Sequence, residues 1–327
     1  MRRNVFRRSR AMEFFNKSSG EHASVNRPLL RQNYVNQGFG VFLHWGMPTY
    51  VSSDNANPNL ALSYFAPTGY DVGQWLDAIA SSGAKYAVLT TKHHDGFANW
   101  NTSYSEPGYA PYGIAQTDWY ANNGSPDVVG DFVNQCRSHN VNPCLYFSIW
   151  DKTYEARTGK TIATATADYT AMIKLQLREL LTNYGNITAI WFDGWGWNSS
   201  FGYYNYVSYQ SMFDYITGIQ PNCLVIDNAH AHPSYTSEIE TYESNEGAIS
   251  ASNKRLSESC ATVYNNGHWF YHVGDDQTAT ALKSAATIKT AIANNKAANA
   301  SYLLNFPPGL DGHITDAQVT ILGQVGT

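Results

Sequence analysis

The stretch that decides the fold is Asn186-Ile-Thr-Ala-Ile-Trp-Phe-Asp-Gly-Trp-Gly-Trp197. Its residues 187–192 are apolar, β-branched or aromatic, and glycines follow at Gly194 and Gly196. Such a run is typical of a strand buried on both faces, as in a parallel sheet covered by helices. The run ends in a carboxylate, Asp193, with a tryptophan on either side of it. A carboxylate at this place is a candidate catalytic residue. Because Asp-Gly is also a common turn pair, the alternative is that Asp193 has a purely structural role.

Similar buried runs alternate with helical patterns along the rest of the chain. The other expected strands lie at residues 38–46, 85–91, 143–150, 223–227, near 239–242, near 269–272 and at 301–306. Between them, apolar residues at helical spacing predict helices, for example at residues 71–82 with Asp71 as the N-cap. About eight strands alternating with helices predict a (β/α)8 barrel, which usually needs ~250 residues plus insertions.

An open, doubly wound sheet is the alternative architecture. It would require a glycine-rich phosphate loop directly after the first strand. The chain has His44-Trp45-Gly46-Met47-Pro48 at that place, which does not fit a pyrophosphate. Since no repeat or low-complexity linker interrupts the chain, we expect an N-terminal lead-in at residues 1–36 and one catalytic domain at residues 37–327.

Composition narrows the class of partner. Aromatic residues make up 14% of the 327 residues, charged residues only 14%, and the formal net charge is -5. An acidic chain rich in aromatic residues argues against nucleic acid and favours a neutral polar ligand such as carbohydrate. No stretch approaches the ~20 apolar residues of a membrane span. The arginine-rich start is not followed by an apolar run, so no secretory signal is visible and the compartment stays open, secretion and the periplasm included.

Cysteines and histidines raise the question of a metal. None of the four cysteines forms a Cys-x-x-Cys pair, and Cys144 and Cys223 lie in apolar runs that predict buried thiols. His230-x-His232 and His268-x-x-x-His272 do have the spacing of metal ligands, so a metal-dependent hydrolase is a competing interpretation. Barrel metallohydrolases usually carry His-x-His at the end of the first strand, where this chain has a single His44. We therefore expect no metal or other cofactor.

Residues suited to catalysis recur at the carboxyl ends of the expected strands, the edge where (β/α)8 barrels carry their active sites. Hydrolysis of a glycosidic bond with retention needs two carboxyl groups ~5–5.5 Å apart, one ionised and one with a raised pKa. Asp193 is the first of them. The other residues expected to contact a sugar are histidines and a tyrosine that grip hydroxyls and tryptophans that stack on the ring: His44, Trp45, His93, His94, Tyr146 and Trp195.

The order of motifs resembles that of the α-L-fucosidases of glycoside hydrolase family 29. The matching pieces are Gly40–Gly46, Gly83–Phe97, Ser125–Gly130, Leu145–Ser148, Ile190–Gly194 and Tyr302–Pro308. The resemblance implies a retaining exo-α-L-fucosidase that acts on fucosylated oligosaccharides or glycoconjugates, without a metal. Many members carry a C-terminal β-sandwich, and we expect only the catalytic barrel here. Without the β-sandwich, one face of the barrel is left to be covered by loops or by another subunit, so an oligomer is compatible with the resemblance.

Site residues follow from the same resemblance. It implies that Asp193 is the nucleophile, that His44, His93 and His94 bind fucose hydroxyls, and that Tyr146 forms part of the wall. The acid/base glutamate lies in a variable region, so its position is open. Glu258, in a Glu-x-Cys stretch like that of the family, is the first candidate, and Glu243 and Glu246 are its rivals. A non-catalytic fucose-binding barrel is the alternative function.

Overall fold

The structure is a computed structural model that describes residues 25–195, 203–228, 237–243, 249–276 and 280–327. Within these residues, eight parallel strands close into a barrel in which each strand pairs with its neighbours in sequence and β8 pairs with β1. The expected (β/α)8 architecture is therefore confirmed. The strands are β1 Phe39–Leu43, β2 Tyr86–Lys92, β3 Asn142–Ser148, β4 Ala189–Asp193, β5 Leu224–Asp227, β6 Glu240–Glu243, β7 Ser257–Thr262 and β8 Ala300–Asn305.

Among the described residues, helices lie in each connection from β1 to β5 and between β7 and β8. The expected helix at residues 71–82 is present, and the Asp71 side chain caps it by accepting a hydrogen bond from the backbone N–H of Gln74. The helices are α1 Arg27–Asn36, α2 Met47–Tyr50, α3 Val72–Ser81, α4 Asp118–Asn122, α5 Val128–Ser138, α6 Lys152–Thr158, α7 Thr166–Asn183, α8 Tyr209–Ile219, α9 Ala285–Ala297 and α10 Asp316–Gly326. None of the described helices is both long enough and apolar enough to cross a membrane.

Strand alternation divides the core into two layers. Successive side chains of a strand point to opposite faces, so every second residue enters the barrel. Phe42, Tyr146 and Trp191 belong to the inner layer. Leu145 and Phe192 belong to the larger outer layer, between the strands and the helices. The alternation therefore decides which residues at the strand ends can reach a cavity on the barrel axis.

The seventh strand differs from the sequence prediction. A strand near residues 269–272 was expected, and this is wrong because β7 is Ser257–Thr262, paired in register with β6 and β8. Four of its six residues are serine, threonine or glutamate, so an apolar pattern does not reveal it. All six residues are nevertheless buried. The aromatic residues at 269–271 lie in a loop instead.

The described part of the lead-in contacts the amino-terminal end of the barrel. Helix α1 places Tyr34 against Tyr86, at the start of β2, with a ring separation of 4.8 Å. Arg27 forms an ion pair with Glu238, and its Nε lies 2.9 Å from that carboxylate. The residues of α1 therefore pack on the barrel, while the boundary between lead-in and catalytic domain stays a prediction.

All four cysteines are buried free thiols. This confirms the prediction for Cys144, which lies in β3, and for Cys223, which directly precedes β5.

Candidate active site

A cavity of about 410 Å³ opens at the carboxyl ends of the strands. Four of the predicted sugar-binding residues line it, together with Asp193 and Glu243. Its full lining is Phe42, His44, Asp54, Asn55, His93, His94, Tyr146, Trp150, Trp191, Asp193, Asn228, Glu243, Cys260 and Trp269. A larger cavity of about 670 Å³ lies on the outer side of the barrel between α6 and α7, away from these carboxylates.

Asp193 is the last residue of β4, it lines the cavity, and 9% of its surface is exposed. Its Oδ2 accepts a hydrogen bond of 2.8 Å from the Tyr146 hydroxyl. Its Oδ1 accepts one of 2.7 Å from the backbone N–H of Gly194 and a longer one of 3.4 Å from Asn228. These hydrogen bonds hold the carboxylate of Asp193 in one orientation.

The residue after Asp193 must be glycine. Gly194 has φ of +67°, in the left-handed region, and a Cβ there would lie 3.1 Å from atoms of both His94 and Trp150. Glycine adopts this conformation without steric cost. Asp193 and Gly194 therefore form a turn, as the structural interpretation of the Asp-Gly pair predicts. The same turn presents the carboxylate of Asp193 to the cavity.

Glu243 ends β6 and faces Asp193 across the cavity. Burial and the nearby charge of Asp193 raise the pKa of Glu243 to about 7, although a hydrogen bond from Asn228 acts in the opposite direction. The side-chain nitrogen of Asn228 lies 2.7 Å from Oε2 of Glu243 and 3.4 Å from Oδ1 of Asp193. These two oxygens are thus no farther apart than about 6 Å, near the separation of the carboxyl pair in retaining glycosidases.

Glu258 does not lie on the rim, and this corrects the expectation that placed it there. It is the second residue of β7, its exposed fraction is 0%, and it is absent from the cavity lining. Its carboxylate accepts hydrogen bonds from Trp191 Nε1 at 2.8 Å, Tyr86 at 2.6 Å and Tyr34 at 2.8 Å. The indole of Trp191 separates it from the cavity. The third candidate, Glu246, lies outside the described residues.

His44 has a defined tautomer. The Asn305 side-chain oxygen accepts the backbone N–H of His44 at 3.1 Å and lies 2.9 Å from its Nδ1. Because this oxygen is an acceptor, Nδ1 carries the proton and Nε2 is left with a lone pair. Burial lowers the pKa of His44 to about 3, against the opposing effects of Asn305 and Asp193. The ring is therefore a neutral acceptor for a hydroxyl.

His93 and His94 lie side by side at the end of β2, with ring centres 4.2 Å apart. Burial lowers the pKa of both, most strongly for His93. Nδ1 of His93 is buried and has no hydrogen-bond partner among the described residues. His94 Nε2 lies 3.5 Å from Oδ2 of Asp193, and its Nδ1 contacts Ser148 Oγ at 2.7 Å. Both rings can therefore exchange hydrogen bonds with a ligand next to Asp193.

An aromatic wall surrounds these polar groups. The ring of Tyr146 stacks between His93 and Trp191, at 5.6 Å and 5.7 Å. Trp269 lies 5.1 Å from the ring of His44. Trp45 and Trp195 do not belong to this wall, which corrects the sequence prediction.

Both of those tryptophans are fully buried in the outer core layer. Trp45 packs on Phe65 and Trp75, and Trp195 donates its indole N–H to the backbone oxygen of Val207 at 2.7 Å. The cause for Trp45 is strand alternation, because its neighbour His44 takes the inward position. For Trp195, the turn at Gly194 directs the side chain outward.

Sequence reasoning missed several residues that line or support the cavity: Asn228, Trp269, Asn305, Asp54 and Asn55. Asn228 directly follows β5. A polar residue at that place, comparable with Asp193 at the end of β4, is the signal that could have identified it. The sequence predicts a strand at Trp269, whereas the structure places this residue in a loop. The loop has no local pattern that predicts the position of the side chain.

Two groups of side chains in the described ranges hold three possible metal-ligating atoms within 4.8 Å of one another. They are His93, His94 and Asp193 in the cavity, and His268, His272 and Asp275 in the loop after β7. The predicted pair His230 and His232 lies outside the described residues. The members of the first group line the cavity, so they face the space that a sugar ligand would occupy.

A closed (β/α)8 barrel with facing carboxylates at its carboxyl rim is an arrangement typical of barrel glycoside hydrolases. A model of the α-L-fucosidase family matches residues 59–327 of this chain. Because the match covers most of the chain, the protein belongs to the α-L-fucosidase family, which is glycoside hydrolase family 29.

Curated relatives agree with the family match. Alpha-L-fucosidase 1 of Arabidopsis thaliana is 26% identical over 314 residues, covering 86% of this chain and 56% of the plant protein. Tissue alpha-L-fucosidase of Mus musculus is 25% identical over 319 residues, covering 84% of this chain and 64% of the mouse protein. The chain thus spans about half the length of the plant relative.

Solved structures share the fold. A glycoside hydrolase 29 family member from an unknown rumen bacterium superposes with a TM-score of 0.74 at 24% identity, over 92% of this chain and 56% of that one. An α-L-fucosidase from Lactobacillus casei, in complex with α-L-fucose, gives a TM-score of 0.67 at 19% identity, over 92% and 97%. At such identities, the likeness establishes the barrel alone.

Proposed function

We propose that this protein is a retaining exo-α-L-fucosidase in which Asp193 is the nucleophile and Glu243 the acid/base. The observation that carries the proposal is the shared contact of Asn228, whose one amide nitrogen lies next to both carboxylates. We infer fucose as the sugar from membership of the α-L-fucosidase family. The sequence favoured Glu258 for the acid/base, but a proton donor must reach the departing oxygen. Glu243 lines the cavity and Glu258 does not.

In the first step, the ionised Asp193 attacks C1 of the fucosyl unit. The bond from C1 to the departing oxygen breaks, and Glu243 gives that oxygen its proton, so the leaving group departs as a neutral alcohol. Tyr146 is still protonated at this stage, because burial and the charge of Asp193 raise its pKa well above the usual value. Its hydroxyl therefore keeps the nucleophile oriented by donating to Oδ2.

In the second step, Glu243 acts as a base. It takes a proton from water while the water oxygen attacks C1, and the ester bond to Asp193 breaks. Glu243 regains its proton and Asp193 its charge, so the enzyme returns to its starting state. Two displacements at C1 leave the product with the configuration of the substrate. The loss of the Asp193 charge in the ester also lowers the affinity of Glu243 for its proton, which suits the change of role.

Recognition of a terminal sugar fits the walls of the cavity. The neutral rings of His44, His93 and His94 offer nitrogen atoms to hydroxyl groups. Phe42, Trp191 and Trp269 supply apolar surface for C–H faces and for the methyl group of a 6-deoxy sugar. The inner core layer closes the floor of the cavity, so a chain cannot pass through it. This blind end supports cleavage at the terminus of a glycan.

The direct test is hydrolysis of an aryl α-L-fucoside, with the matching aryl α-L-galactoside as the control that carries a hydroxyl at C6. We expect turnover of the fucoside, with α-L-fucose as the first product in NMR spectra taken before mutarotation. Asp193→Asn should abolish turnover while the melting temperature stays close to that of the wild type. First appearance of β-L-fucose would contradict retention, and a folded chain without turnover on a panel of fucosides would favour a binding barrel.

A further inference from the structure

A second cluster of potential ligands lies in the loop after β7, outside the proposed catalytic pair. Nδ1 of His268 lies 2.9 Å and 3.2 Å from the two carboxylate oxygens of Asp275. The ring of His272 lies against that of His268, with centres 3.8 Å apart. One potential ligand atom from each of the three residues falls within 4.8 Å of the others. Two imidazoles and a carboxylate thus lie close enough together to be candidates for ligands of one ion.

His272 has an unused nitrogen in this cluster. Its Nε2 is buried and forms no hydrogen bond with the residues that the structure describes. The same atom lies 3.3 Å from Oδ1 of Asp54, close enough for an ionic contact but without hydrogen-bond geometry. A buried ring nitrogen beside a carboxylate but without a hydrogen bond is poorly satisfied by the protein alone. A cation would satisfy it.

The carboxylate of Asp275 is held in place by groups behind it. The backbone N–H of His272 donates to Oδ2 at 2.8 Å, and the side-chain amide of Asn266 donates to Oδ1 at 2.9 Å. Supporting hydrogen bonds of this kind orient the ligands of metal sites and strengthen their binding. The side chain of Asp275 is almost fully buried, whereas the ring of His268 is one-third exposed, which gives an ion a path from solvent.

We propose that His268, His272 and Asp275 bind one divalent cation of the zinc class at the mouth of the cavity, apart from the reacting carboxylates. Imidazole nitrogen and carboxylate oxygen are the ligands that Zn²⁺ takes in proteins, and three protein ligands leave one position for water. The carboxylates of Asp275 and Asp54 offset the charge of the ion.

The ion would act on the shape of the cavity. Oδ1 of Asp54 accepts the backbone N–H groups of Trp269 and Phe270, at 3.1 Å and 2.8 Å. The site therefore joins the loop that carries Trp269 to the loop that carries Asp54, and both residues line the cavity. A bound ion fixes this part of the wall without contacting Asp193 or Glu243. It should change the affinity for substrate more than the chemical step.

The test is a titration of the chelator-treated full chain with Co²⁺, which reports on coordination through its visible absorption, and with Zn²⁺ by calorimetry. We expect one equivalent bound per chain and a tetrahedral Co²⁺ spectrum. His268→Ala and His272→Ala should each weaken binding ~100-fold or more, since they remove a ligand rather than a supporting group. His139→Ala is the matched control, because His139 contacts an aspartate on the surface at 2.9 Å.

His93→Gln separates this site from the histidines of the cavity. The proposal requires that His93→Gln bind Co²⁺ as the wild type does. It is overturned if the wild type binds no stoichiometric Co²⁺, or if His93→Gln abolishes binding while His268→Ala and His272→Ala retain it. Thermal melts of each variant show whether a loss reflects unfolding, and the conservative His272→Asn gives a second test at that position. Since no substrate is used, the outcome is independent of the proposed fucosidase activity.

Discussion

Tyr146 donates its hydroxyl to Oδ2 of Asp193 at 2.8 Å, from the strand that precedes the aspartate strand in the barrel. Parallel pairing sets this contact, because Tyr146 lies opposite Trp191 and Ser148 opposite Asp193 in the register of β3 and β4. The tyrosine is fully buried. The orientation of the proposed nucleophile therefore depends on a neighbouring strand.

Tyr146→Phe removes this donor with little change in volume. We expect kcat on an aryl α-L-fucoside to fall ~10²-fold, because a misplaced nucleophile loses alignment with C1. Tyr86→Phe is the matched control, since it removes a buried hydroxyl that donates to Glu258 instead. That control should lower the melting temperature and leave kcat nearly unchanged. Equal losses of kcat in the two variants would contradict the role of Tyr146.

The pH profile follows from the protonation of Glu243. A general acid works only in its protonated form, and the pKa of Glu243 in the free enzyme is raised to about 7. We therefore expect kcat/KM to fall as the pH rises through about 7. His44 should contribute no limb near neutrality, because its pKa is lowered to about 3.

Asn228→Ala should move that alkaline limb. The hydrogen bond from Asn228 lowers the pKa of Glu243, so its removal raises the pKa and shifts the limb of kcat/KM to higher pH. The maximum rate should also fall, because the same amide contacts Asp193. The measurement is the pH dependence of kcat/KM for the wild type and for Asn228→Ala. A limb that stays in place, or moves to lower pH, would contradict the assignment of the limb to Glu243.

Glu258 and Glu243 should respond oppositely to the same substitution. Glu258→Gln disturbs a carboxylate that accepts hydrogen bonds from Tyr34, Tyr86 and Trp191, so we expect the free energy of unfolding to fall by ~1–3 kcal/mol. Its kcat should change little. Glu243→Gln should keep the stability and lose turnover of substrates with poor leaving groups. Denaturant unfolding and kinetics of both variants decide between the two residues.

Gly194→Ala tests the turn that presents Asp193. The new Cβ would meet His94 and Trp150 at 3.1 Å, and φ of +67° is strained for alanine. Turnover should fall ~10²-fold, because a small displacement of a catalytic group costs that much. Gly218→Ala in α8 is the control, since a Cβ there meets nothing within 4 Å. It should leave the rate unchanged and raise the melting temperature slightly.

The barrel was predictable from sequence because buried parallel strands are continuous apolar runs, and the run before Asp193 is the strongest of them. Strand β7 was not, since its serines, threonine and glutamate are satisfied by hydrogen bonds that only the folded barrel supplies. The same limit misplaced Glu258. Its local Glu-x-Cys pattern carries no information about depth along the barrel axis, whereas depth alone separates it from Glu243.

Side-chain direction was the other quantity that the pattern left open. Consecutive residues at a strand end face opposite layers, so His44 lines the cavity while Trp45 enters the outer core. The sequence did not identify Asn228, because an amide next to a strand is usually a turn residue. Asn228 contacts both Asp193 and Glu243 only because the curvature of the barrel brings the ends of β4 and β6 together.

Which carboxylate attacks and which donates the proton is the central assignment of the proposed mechanism, and azide rescue measures it directly. Azide should restore turnover of an aryl α-L-fucoside by Glu243→Ala and give the α-fucosyl azide, because it replaces water in the second displacement. With Asp193→Gly it should give the β-fucosyl azide, because it replaces the nucleophile in a single displacement. Glu258→Ala should form no azide adduct. Rescue of Glu258→Ala with α-fucosyl azide, and none of Glu243→Ala, would contradict the account.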